Sequence, residues 1–126
     1  MTQPGGTVPL ARFATYMARA HAAGAGKYGW RLLAANNRDV ARSAELYVEL
    51  ESCYDAIKNL RAEFGRALPV VARIGRSEWS WRLRVDEIDL VVSSRTYQRR
   101  LQCTAACDLF MELALDALMP ELGVLD

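Results

Sequence analysis

The residues best equipped for chemistry are few: one histidine, His21, and three cysteines, Cys53, Cys103 and Cys107. For acid–base work His21 would need an acid or a nucleophile to orient it. It lies instead in an Ala/Gly-rich stretch, Arg19 to Gly26, with neither nearby in sequence, so an exposed loop residue is expected. Cys103 and Cys107 are four apart, which puts two thiols on one helix face and could offer two metal ligands. Cys53 and His21 would then have to converge on them, and nothing in the sequence requires it. An odd number of thiols does not make a disulfide framework, so the cysteines are expected as small, reduced core residues. No catalytic residue, metal or cofactor is expected.

The arginines carry more information. Arg99-Arg100 falls where a helix should begin, and there the helix dipole favours negative charge, so two cations in sequence conflict with it unless an anion or an acidic partner is bound. Arg95 lies on the same approach. These three are the candidate anion or partner patch, with a solvated helix entry as the plainer account. Arg31, Arg82 and Arg84 alternate with tryptophans and should lie on the opposite sheet face, a second candidate surface for a polar ligand, a nucleic-acid strand or a protein. The plainer account of that face is cross-strand ion pairs with Asp86 or Glu87. No exposed aromatic ladder interleaves the arginines, which makes nucleic acid the weaker alternative.

Positioning these residues requires elements, and self-comparison finds them. Tyr28-Gly29-Trp30-Arg31-Leu32 aligns with Trp79-Ser80-Trp81-Arg82-Leu83, and after one residue is lost in the turn the pairing continues through Ser43 with Ser93, Tyr47 with Tyr97 and Cys53 with Cys103. Within each copy the apolar period changes from two to about 3.6. Tyr28, Trp30, Leu32 and Ala34 alternate as a half-buried strand, as do Trp79, Trp81, Leu83 and Val85. Asn36-Asn37 and Asp86-Glu87 follow, residues that tolerate the left-handed backbone of a hairpin turn. Second strands run from Asp39 to Ala44 and from Ile88 to Ser94. Helices then show apolar stripes: Leu50, Cys53, Ile57, Leu60 and Phe64, ended by Gly65; and Cys103, Cys107, Phe110, Ala114 and Leu118, stopped by Pro120. Weaker strands precede each hairpin, Arg12 to Ala18 and Pro69 to Ile74.

The expected fold is α+β: two tandem strand-strand-strand-helix repeats, residues 10–65 and 66–119, in a two-layer structure with a mostly antiparallel sheet and both helices on one face. Neither unit can bury its tryptophan face alone, and pairing two of them solves that. Trp30, Trp81, Tyr47, Tyr97, Cys53 and Cys103 form the expected repeat core. Residues 1–9, with two prolines and two glycines, read as a loose tail, and the aliphatic tail 120–126 is expected to fold back on the domain.

Composition bounds the function. The chain has 126 residues, 52% of them hydrophobic, and a net charge of +1, which argues against the strong field of a non-specific nucleic-acid binder. The charge is uneven: Arg66 to Cys107 holds eight arginines against four acids, while Asp108 to Asp126 holds five acids and no base. No window reaches the apolar length of a membrane span and no signal peptide is evident, so a cytoplasmic place is expected.

Gly26 to Asn36, followed by Val40-Ala41-Arg42-Ser43, Tyr47 and Cys53-Tyr54-Asp55-Ala56-Ile57, resembles the repeat of the YegP-like family, short bacterial and archaeal proteins with one or two such units. The resemblance implies the three-strand-plus-helix repeat and implies no activity. The chain departs from the family pattern in the hairpins, where Asn-Gly is usual, and at Val48 and Gln98, where Ser or Thr is usual. The functional expectation is a non-enzymatic protein-interaction or regulatory module, its partner another protein or a second copy. The alternative is a small-molecule, anion or nucleic-acid binder using the arginine-bearing sheet face.

Overall fold

The computed structural model describes residues 10–18, 27–121 and 123–125. The 1–9 tail, the Arg19 to Gly26 loop with His21, Leu122 and Asp126 lie outside them. The elements run β1 (Arg12–Met17), β2 (Tyr28–Leu33), β3 (Asp39–Ser43), α1 (Leu50–Glu63), β4 (Leu68–Ile74), β5 (Glu78–Val85), β6 (Ile88–Ser93) and α2 (Arg100–Leu113), with a short 3₁₀ turn, Phe64–Arg66, after α1. The class is α+β, and the six strands form one sheet in the order β1-β2-β3-β6-β5-β4, with every pairing antiparallel.

Four pairings of consecutive strands and one seam build that order, and the β2–β3 and β5–β6 hairpins carry the two turns that bear on the site. Asp86 and Glu87 both have positive φ, 51° and 65°, as a two-residue turn matching the strand twist requires. In the first hairpin Asn37 takes the left-handed conformation at φ 67°, and Asn36 Oδ1 accepts the Arg38 N–H at 3.0 Å. The halves then join where β3 pairs with β6, Ala41 opposite Ser93 and Ser43 opposite Val91. Side chains opposite one another in the ladder share a face. Trp30, Leu32, Ala41, Val91, Leu83 and Trp81 therefore all point to one side, where Ile57 and Leu60 of α1 and Cys103 and Phe110 of α2 close the core.

Both indoles are fully buried, but their ring partners differ. Trp30 meets Phe13 of β1 edge-on at 5.3 Å, and Trp81 meets Phe110 of α2 at 5.3 Å with the rings tilted by 41°. The three thiols are buried and free. Burial pushes those of Cys53 and Cys107 up to about 11 and raises that of Cys103.

Both helix ends differ from expectation. Gly65 does not terminate α1 through a left-handed cap; it lies inside the 3₁₀ turn. Helix α2 ends at Leu113 rather than at Pro120, so Leu118 is not on its core stripe. Leu118 instead pairs in parallel with Arg12: its N–H donates to the Ala11 carbonyl at 2.9 Å and its carbonyl accepts the Phe13 N–H at 2.8 Å. The Thr15 hydroxyl donates to the Val124 carbonyl at 2.7 Å. The C-terminal segment thus lies along the β1 edge, which would otherwise present unpaired backbone groups.

A basic cleft and its acidic counterpart

In the β2–β3 and β5–β6 hairpins the register slips by one residue. Leu32 faces Ala41 but Leu33 faces Asp39, leaving Val40 without a partner; likewise Leu83 faces Val91 but Arg84 faces Asp89, leaving Leu90 unmatched. An extra residue of this kind bends the strand and re-aims a side chain. Here each unmatched residue lines a cleft beneath the helix of the other half of the chain: Val40 under α2, Leu90 under α1. Each cleft therefore exists only because β3 and β6 pair.

The two clefts occupy matching places fifty positions apart and carry opposite charge. The larger, of about 530 Å³, has Arg38, Arg95, Tyr97 and Gln102 among its polar lining, with Ala105, Ala106 and Leu109 on α2. The smaller, of about 350 Å³, has Glu45 where the first has Arg95, Tyr47 where it has Tyr97, Asp55 where it has Ala105 and Asn59 where it has Leu109. The tyrosines report the contrast. Tyr47 is pushed up to about 12, first by burial and then by Glu45 and Cys53. Tyr97 is raised by burial while Arg95 and Arg38 pull the other way.

Among the described residues neither Arg38 nor Arg95 has a carboxylate within ion-pair distance. The one acid lining the basic cleft, Asp39, is already engaged: it accepts from Arg42 at 3.2 Å and from the Ser94 hydroxyl, with Arg31 at 3.7 Å. Helix α2 begins beside the cleft with Arg99 at its N-cap, no side-chain cap and no acid in its first turn, whereas α1 has Glu51 there.

Of the three arginines singled out at the helix entry, only Arg95 lines the cleft. Arg99 is exposed, and Arg100 stacks over the Trp79 ring at 5.7 Å. Arg38 comes from the other half of the chain and escaped the sequence reading, because nothing local to residues 36–39 says that β3 will lie against β6. The α2 residues at 102, 105, 106 and 109 do carry a signal, a stripe at helical spacing beside the core stripe, but it is too small and polar to stand out.

Arg31, Arg82 and Arg84 lie on the sheet face away from the helices, as their alternation requires, but their acid is neither Asp86 nor Glu87. Arg82 and Arg84 both bond Asp89, at 3.0 and 2.6 Å, and Asp39 takes the matching place beside Arg31 and Arg42. The register slip puts Asp89 opposite Arg84, which strict alternation would not. Asp86 instead serves Arg66, at 2.7 Å. One aromatic joins this face: Tyr16, whose ring lies 5.5 Å from the Arg31 guanidinium. Among the described residues no group of three or more His, Cys, Asp or Glu side chains converges to hold a metal, and no helix is long and apolar enough to cross a membrane.

Residues 23–64 match the family described as "Domain of unknown function (DUF1508)". The chain is similar in structure to the protein of unknown function yegP from E. coli, with a TM-score of 0.66 and 16% identity over 94% of this chain and 99% of that one. In fold the chain resembles YegP. A UPF0339 protein from Shewanella oneidensis is similar as well, with a TM-score of 0.64 and 15% identity over 89% of this chain and 91% of the other. No curated protein matches the sequence significantly. At such identity the YegP-like resemblance concerns shape, and the matched neighbours bring no function with them. The DUF1508 match includes Arg38, Asp39 and Val40 but none of the residues that α2 or Arg95 contributes to the basic cleft.

Proposed function

We propose that this protein is a non-enzymatic protein-interaction module that receives a negatively charged segment of a partner protein in the basic cleft. The observation that carries the reading is the pair of guanidiniums, Arg38 and Arg95, facing one cleft with no carboxylate of their own among the described residues. Arg31, Arg42, Arg82 and Arg84 on the opposite sheet face share Asp39 and Asp89, whereas Arg38 and Arg95 have no such partner among the described residues. The cleft in turn rests on duplication: two strand-strand-strand-helix units, 10–65 and 66–119, joined at β3 and β6, with the second unit's cleft residues having changed charge. Matching backbone contacts support this, the Tyr28–Tyr47 and Trp79–Tyr97 bridges among them. We place the module in the cytoplasm of a bacterial cell, as the sequence reading expects.

Affinity capture tests the reading with three baits: the unchanged chain, an Arg38→Glu/Arg95→Glu variant and an Arg99→Glu/Arg100→Glu variant. One defined protein held in stoichiometric amount by the first and third baits but not by the second is the expected result. A captured set that is the same for all three baits refutes it.

The alternative, a polar ligand or nucleic-acid strand on the opposite sheet face, draws on Tyr16 and Arg31, which stack there beside Arg42, and on the four arginines that share Asp39 and Asp89 among the described residues. Sharing those aspartates leaves little free charge. A salt-sensitive retarded band with short RNA or DNA, lost in an Arg31→Ala/Arg82→Ala variant, would favour it.

A further inference from the structure

We infer, resting on the reading of the basic cleft as the docking point, that what it recognises is a two-part peptide signature, an acidic side chain next to an aliphatic one. The cleft has two chemically distinct parts. Its charged part is built by Arg38 from the β2–β3 turn and Arg95 from the segment before α2, with Tyr97 lining the same space. Among the described residues the Tyr97 hydroxyl makes no hydrogen bond, which leaves it as a donor for a bound carboxylate. The start of α2 adds positive potential to the same end, since a helix N-terminus without acid or cap leaves its first N–H groups unpaired.

The second part is apolar. Ala105, Ala106 and Leu109 are one face of α2, and Val40, itself buried in the core, floors the same space where the β2–β3 register slips. The two alanines keep the space open, and Leu109 is only partly buried. An anion alone would satisfy the arginines and leave this surface wet; an aliphatic side chain beside the acid would bury it. The volume, about 530 Å³, is in the range of sites that enclose a few side chains. In the counterpart cleft Glu45 stands for Arg95, and Asp55 and Asn59 stand for Ala105 and Leu109, while Ala56 and Leu90 keep the apolar character of Ala106 and Val40. The contrast between the clefts is therefore in charge and in two helix positions, 105 and 109. A nucleic-acid strand fits less well, because it offers phosphates but no aliphatic group for Leu109 and Val40.

The test is a titration of the ¹⁵N-labelled full chain, followed by amide shifts, with blocked tetrapeptides Glu-Glu-Leu-Leu, Glu-Glu-Ser-Ser and Gln-Gln-Leu-Leu. We expect shifts confined to residues 38–40 and 95–109 with the first, and binding weaker by about tenfold or more with each of the others. The Ala105→Asp/Leu109→Asn variant, which installs the counterpart's residues at partly exposed positions, should bind Glu-Glu-Leu-Leu no better than Glu-Glu-Ser-Ser. If Glu-Glu-Ser-Ser binds the unchanged chain as well as Glu-Glu-Leu-Leu does, the two-part signature is wrong while the acidic docking point stands. If the Arg38→Glu/Arg95→Glu variant binds all three peptides unchanged, or no acidic peptide shifts the cleft, the docking point itself fails. A stronger response to octanoate than to any peptide would assign the cleft to small carboxylates and overturn the inference.

Discussion

The Ser43 hydroxyl accepts the backbone N–H of Trp30 at 3.2 Å and donates to the Glu45 carbonyl at 2.8 Å. One small side chain thereby satisfies a buried donor on β2 and fixes the exit of the chain from β3. At the matching place Ser93 accepts the Trp81 N–H at 3.3 Å, but it is less buried and has no onward bond. Removing a hydroxyl that leaves a buried N–H unpaired costs about 1–3 kcal/mol, and less where water can replace it. Ser43→Ala should therefore lower the urea midpoint markedly at constant m-value, and Ser93→Ala should lower it by less than half as much. Equal losses would show that water reaches both sites alike.

Asp89 lies between Arg82 and Arg84. Burial acts to raise its carboxyl, but hydrogen bonds from Arg84 and Arg82 outweigh it and hold the group below its ordinary value. A carboxyl depressed in the folded state contributes stability above the unfolded value, near 3.8, and that contribution is lost as pH falls through the folded value. The arginines are about two-fifths exposed, so solvent screening keeps the gain to about 1 kcal/mol or less. Asp89→Asn should flatten the acid limb of the stability profile below about pH 4. A variant with the same acid limb as the unchanged chain would show that the pair contributes nothing measurable.

How far the fold could be read from the sequence is clearest in the second hairpin. The alternation from Trp79 to Val85 and the Asp86-Glu87 pair place a strand and a tight turn because both are local signals, set by side-chain parity and tolerance of positive φ. The slip that leaves Leu90 unmatched is not local. It interrupts side-chain parity, so alternation alone offers Asp89 no partner and points the arginines of β5 to Asp86, which instead pairs with Arg66. The end of α2 was missed for a similar reason: Leu118 continues the helical spacing, but the β1 edge offers its backbone partners from over a hundred residues away in sequence. Arg38 and Arg95 meet only through the β3–β6 seam, so the cleft was half legible, and the legible half was the arginine nearest the helix.

The buried thiols make a further prediction. Cys53 and Cys107 stand near 11, against 9.0 for a free thiol here, because burial disfavours the thiolate. At pH 8 the folded protein should resist a thiol-specific disulfide reagent, and all three cysteines should react once denaturant is added. A group raised in the folded state contributes stability that is intact below its unfolded value and lost as pH rises through the folded one. Stability should therefore decline from about pH 9 to 11, and Cys53→Ala should reduce that slope. Rapid labelling of the native chain would mean that the α1 and α2 core faces open far more often than global unfolding allows.

Arg61, in the last turn of α1, reaches across to the end of α2. Its Nε donates to the Ala114 carbonyl at 3.3 Å, a second nitrogen donates to the Ala117 carbonyl, and the guanidinium lies 5.4 Å from the centre of the Phe13 ring. Carbonyls at a helix C-terminus lack intrahelical partners, and a cation supplied from outside satisfies them and the negative end of the dipole together. Ala117 directly precedes Leu118, whose backbone joins the C-terminal segment to β1. Arg61→Ala should therefore cost about 1.5–3 kcal/mol, the range for hydrogen bonds to charged groups. It should also speed hydrogen exchange at the Leu118 and Phe13 amides before it affects β5 or β6. Arg61→Lys keeps the charge but loses the two-point geometry, so it should restore only part of the protection. If stability falls while those two amides keep their protection, Arg61 acts by packing on Phe13 and not by holding the end of α2.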